Sequence, residues 1–114
     1  MAEEALFTIP DQDGISITLT WERWENHILI GHPAMAKHLE AINLAISDPD
    51  YILQSDKRAD TKLFYRLGVT EGKYSNLYVV VVIRYTVSEG FVRTAYLTLK
   101  PIAGGEVVWI RSKL

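Results

Sequence analysis

Residues 76–100 read NLYVVVVIRYTVSEGFVRTAYLTLK. Two runs rich in β-branched and aromatic residues flank Ser88-Glu89-Gly90, the pattern of a hairpin closed by a short loop ending in glycine. Gly90 is free to take the left-handed conformation that completes a three-residue loop with a bulge. In that register Val87 faces Phe91, Thr86 faces Val92, Arg84 faces Thr94 and Val82 faces Tyr96. A two-residue loop would instead set Arg84 against Arg93, an unfavourable like-charge pair. Opposed residues share a face. One face then carries Leu77, Val79, Val81, Ile83, Ala95, Leu97 and Leu99, with Tyr85 and Arg93 toward the turn. The other carries Tyr78, Val80, Val82, Arg84, Val92, Thr94, Tyr96 and Thr98. The first is a core face. The second sets a guanidinium, hydroxyls and phenols among valines, which marks it as the candidate functional face.

Outward from the hairpin, residues 62–67 form a strand with Leu63, Tyr65 and Leu67 on one side and Lys62, Phe64 and Arg66 on the other. Residues 106–111 supply a last strand, and 51–53 a short extended piece. Near the start, 5–9 and 15–20 read as two short strands around the turn 10–14. Thr20 is placed to cap a helix running to about Ile30, with Trp21, Trp24 and Ile28 as its apolar stripe and Gly31 as its stop. Pro33 then starts a second helix over 33–47, in which Met35, Leu39, Ile42 and Ile46 recur at helical spacing. Strands follow the helices consecutively. The expected fold is therefore α+β in a single domain, 1–114: N-terminal strands and two helices packed on one face of an antiparallel sheet of about four strands.

Composition narrows the function. The 114 residues include no cysteine, which excludes a disulfide framework and a thiolate metal site. No apolar run reaches the roughly 20 residues of a membrane helix, and the N-terminal MAEEALF lacks the layout of a signal peptide. A cytoplasmic protein without membrane partners is expected. The net charge of −2 conceals an asymmetry: residues 1–56 hold ten acids and two bases, net −8, and 57–114 hold four acids and ten bases, net +6. An anionic partner should prefer the strand-rich second half.

The histidines lack the spacing of a metal site, so no metal or other cofactor is expected. His27 and His32 flank the break between the two helices, where they serve either as helix caps or as proton-transfer groups. Arg66, Arg84 and Arg93 sit inside strands, where a guanidinium calls for exposure or an anionic partner such as phosphate. Tyr78 and Tyr96 on the same face could stack on bases, and Lys62 adds a further cation for RNA.

The segments WERWENHILIGHPAM (21–35), I-x-x-P-D-Y-I (46–52), FYR (64–66), VVVV (79–82) and VRTAY (92–96) resemble the phage-associated barnase–EndoU–colicin–RelE-like nuclease domains over about residues 15–100. The resemblance implies helices followed by a four-stranded antiparallel sheet, and a metal-independent endoribonuclease of a toxin or phage-derived kind. It also implies a neutralising antitoxin or immunity protein as partner. The matching positions are His27, His32, Arg66, Thr94 and Tyr96, with Arg84 added by the strand geometry. In such chemistry a base takes the ribose 2′-hydroxyl proton, an acid protonates the departing oxygen, and cations offset charge at phosphorus. The alternative on the same scaffold is a catalytically inactive binding or protein-interaction module.

Overall fold

The computed structural model describes residues 4–70, 72–99 and 105–111. Its strands are β1 (Ala5–Pro10), β2 (Ser16–Thr20), β3 (Tyr51–Gln54), β4 (Thr61–Leu67), β5 (Tyr78–Tyr85), β6 (Gly90–Thr98) and β7 (Val107–Ile110). All seven join one sheet in the order β1-β2-β6-β5-β4-β3-β7. Neighbours are antiparallel except β2 and β6, which run parallel. This corrects the expected antiparallel sheet of about four strands. The N-terminal hairpin is part of the same sheet, and β3 and β7 extend its other side, so the sheet is mixed and nearly twice as wide.

Gly90 explains the join. It is the first residue of β6, opposite Tyr85 on one side and Ile17 on the other. Its φ is not positive. A Cβ there would lie 2.6 Å from Ile17 Cδ1 and 3.0 Å from Ile83 Cγ2, so glycine is required by close approach rather than by a turn. The hairpin loop is Thr86–Glu89, with the Thr86 N–H donating to Glu89 O at 2.8 Å.

The longer loop moves the register. Val82 faces Thr94, and Arg84 faces Phe91, not Thr94 as expected. Between these pairs Arg93 is an extra residue, a bulge. Below the bulge the offset from the expected pairing is two residues, which preserves the faces. Val81 and Ala95 accordingly lie on the helix-covered face, both fully buried. The bulge turns Val92 onto that face as well, against expectation.

The first helix spans 21–31. Thr20 Oγ1 accepts from the Arg23 N–H at 3.1 Å, so its cap is as expected. The middle of this helix, Trp24–Ile28, is π-helical, with the Leu29 N–H donating to Trp24 O five residues back. The second helix is shorter than 33–47. Pro33–Lys37 is a 3₁₀ segment, His38 departs from helical angles (φ −123°, ψ 30°), and the α-helix covers only Leu39–Ser47. Met35, Ile42 and Ile46 are buried with Trp24 and Ile28 against Ile17, Leu19, Phe64, Val79 and Ile83, which makes the main core. A smaller cluster of Leu53, Tyr65 and Val80 lies on the opposite face, with Tyr51, Leu63, Tyr78 and Tyr96 packed around it. No helix is long and apolar enough to cross a membrane among the described residues.

Candidate functional site on the open sheet face

Strand alternation sorts the expected site residues onto two faces. Arg84, Thr94, Tyr96 and Tyr78 project from the face that no helix covers. Lys62 and Arg66 share the other face with Phe64. Arg66 bonds the carboxylate of Asp48 at 2.9 Å and also donates to its backbone carbonyl. It is a clamp on the end of the second helix. Lys62 Nζ lies 5.2 Å from the ring centre of Tyr85. His27 is also elsewhere: it pairs with Glu22 at 3.1 Å on the exposed side of the first helix. The π turn makes that contact possible, because it stacks residues five apart rather than four. The set His27, His32, Arg66, Arg84, Thr94 and Tyr96 therefore does not converge on one phosphate.

His32 does reach the open face. β2 pairs with β6 only at Ile17 and Thr18, and β6 also meets the helical corner, at Tyr96. The corner ends where the His32 N–H donates to Ile28 O at 2.7 Å. From there the exposed imidazole lies 5.5 Å from the Tyr96 ring, tilted by 32°. Burial raises the Tyr96 pKa, so its phenol keeps its proton at neutral pH and can donate to an oxygen anion. Beyond Tyr96 the face is aromatic. Tyr51 and Tyr65 stack at 4.9 Å, and Tyr78 meets both edge-on. A cleft of about 410 Å³ opens beside Tyr96 over Leu53, Leu63 and Val82, rimmed by Ser55, Asp56 and Lys57.

Toward the hairpin end the face becomes cationic. Asp60 holds Arg58 through two contacts of 3.0 and 3.1 Å and Arg84 at 3.4 Å. Hydrogen bonds from Arg58 and Thr61, aided by the charge of Arg84, draw its carboxyl down to about 2. The bulge presents Arg93 beside this group. Its pKa is lowered by burial first, then by the positive charges of Arg23, Arg84 and Arg58. Arg93 thus feels the positive charge of three other guanidiniums, and Asp60 pairs with two of these, Arg58 and Arg84.

Sequence reasoning missed Arg23, Arg58, Asp60, Tyr51 and Tyr65. Arg58-Ala-Asp60 before a strand was a legible local pair. Arg23 arrives from the first helix, and nothing local announces it. Among the described residues no three His, Asp or Glu side chains are grouped to hold a metal. Comparison with protein-family models, curated proteins and solved structures gave no match for this chain. The nuclease resemblance accordingly rests on the motifs quoted for it.

Proposed function

We propose that the open face of the sheet binds single-stranded RNA. The observation that carries the reading is the juxtaposition on the uncovered face of a tyrosine surface with Arg84 and its partner Asp60, near which Arg58 and Arg93 add positive charge. Aromatic rings accept bases without regard to sequence, and guanidiniums follow the phosphates. Val80 faces Tyr96, and Arg84 is four residues further along β5, so their backbone positions are roughly 13 Å apart at about 3.3 Å per residue. That separation suits a strand lying along the face, with bases at Tyr78 and Tyr96 and phosphates toward Arg84 and Arg93. It does not suit one phosphate held by all these groups.

A second reading, metal-independent cleavage, is favoured by the contact of His32 with Tyr96. There His32 would take the 2′-hydroxyl proton as the 2′-oxygen attacks phosphorus, the Tyr96 phenol would donate to a non-bridging phosphate oxygen, and the 5′-oxygen would leave with a proton from water. Fluorescence anisotropy with a labelled single-stranded oligonucleotide, titrated with salt, tests the first reading. Binding should weaken with salt, with a slope of about −0.7 per phosphate neutralised, and duplex RNA should bind less well. Absence of binding at low salt refutes the RNA reading altogether. Incubation with total RNA in the presence of a chelator tests the second: cleavage lost in His32→Ala with affinity retained establishes it, and intact RNA leaves binding alone.

A further inference from the structure

A separate cleft of about 640 Å³ lies between the 3₁₀ segment Pro33–Lys37 and the short turn Gly72–Tyr74. Lys37 enters it from the first element and Lys73 from the second, with His38, Thr70 and Tyr74 between them. Among the described residues no carboxylate belongs to its lining, and neither ammonium has a carboxylate of those residues within 4 Å. The turn is held in place: Thr70 Oγ1 donates to Tyr74 O at 2.6 Å, and the edge of His38 meets the Tyr74 ring at 5.6 Å. Lys73 Nζ stands 5.2 Å from the centre of that same ring.

Lysines from two separate elements line one cleft, and an anion seated between them is attracted to both. Two lysines match the charge of a phosphate monoester, about −1.5 to −2 at pH 7. The volume falls within the range of small-molecule sites and exceeds what a bare inorganic ion fills. We propose that this cleft binds a small organic phosphate of nucleotide size, with its phosphate held between Lys37 and Lys73. The site stands apart from the sheet face and does not depend on the RNA reading.

The test is titration calorimetry of the full chain with adenosine 5′-monophosphate, ribose 5-phosphate, inorganic phosphate and adenosine. Both esters should bind saturably at one site, inorganic phosphate more weakly, and adenosine not at all. Lys37→Ala and Lys73→Ala should each weaken ester binding by about tenfold or more, the usual effect of removing one charged hydrogen-bond partner. Both lysines are exposed, so melting temperatures should not move. Amide chemical shifts locate the ester without any substitution, and changes should centre on Lys37, His38, Thr70 and Lys73. The proposal is overturned by no saturable binding of either ester, or by adenosine binding as tightly as its phosphate. Shifts centred on Arg84, Thr94 and Tyr96 overturn it too.

Discussion

Gly90→Ala tests the parallel join of β2 to β6. The new methyl would stand 2.6 Å from Ile17 Cδ1, 3.0 Å from Ile83 Cγ2 and 3.3 Å from Tyr85 Cε2. Ile17 and Ile83 are fully buried, so neither can swing into solvent. Overpacking of this kind costs about 1–3 kcal/mol, and replacing a strand glycine returns roughly 0.5–1 kcal/mol. The net expectation is a loss of about 1–2 kcal/mol, read as a drop of several degrees in melting temperature. Ile17→Val removes the very Cδ1 that collides and alone costs about 0.5–1.5 kcal/mol. In the double variant that atom is gone, and only the milder contacts with Ile83 and Tyr85 remain. The pair should be more stable than the sum of the single effects by roughly 0.5 kcal/mol or more, within the range of contacting residues. Urea unfolding of the four proteins measures the coupling. Additive losses refute the reasoning, because a glycine needed for backbone conformation would not respond to Ile17.

Further outcomes follow from the same contacts. Arg93→Ala should make the salt dependence of RNA binding shallower by about 0.7, the share of one phosphate contact, whereas Arg66→Ala should leave RNA affinity unchanged and lower stability by about 1 kcal/mol; anisotropy and urea melts separate the two. Asp60→Asn should tighten RNA binding by removing the carboxylate that pairs with Arg58 and Arg84. Because the Asp60 pKa is held at about 2, below its ordinary 3.8, its contribution to stability is present above about pH 4 and lost as pH falls toward 2. Thermal melts across that window should therefore fall more steeply for the parent than for Asp60→Asn. Thr20→Ala should cost about 1 kcal/mol through loss of the bond to the Arg23 N–H. If RNA is cleaved, His32→Ala should slow the reaction by about 10²–10⁴-fold with melting unchanged.

The elements were legible where their signals are local. Alternation gave the strands, Thr20 and Gly31 bounded the first helix, and the apolar stripe gave the buried positions of the second. The face assignment of β5 survived an incorrect register because side chains repeat every two residues and the error below the bulge was even. Pairing at a distance was not legible. Nothing in Ile17-Thr18 names Gly90-Phe91 as neighbours, and a glycine before a strand looks the same whether it turns the chain or admits an isoleucine. The site divided on the same line. Tyr78, Arg84, Thr94 and Tyr96 were grouped correctly because they belong to one hairpin. Arg66 was grouped with them wrongly, because its face depends on which neighbour it opposes, Val79, and on Asp48 waiting across the helix end.

The charge asymmetry along the chain has a different meaning in space. Four arginines of the basic half pair with acids, some of them from the acidic half: Arg66 and Arg111 hold Asp48, Arg111 also holds Asp50, and Arg58 and Arg84 share Asp60. The two bases of the acidic half do the opposite. Arg23 adds to the cluster of Arg58, Arg84 and Arg93, and Lys37 joins Lys73 in the second cleft. Each positive site is thus assembled from both halves, and neither could be found by counting charge along the sequence. Beyond about 8 Å, exposed charges are largely screened at physiological salt. An anion at either place therefore responds to the local excess of cations, and the net charge of −2 does not stand against its binding.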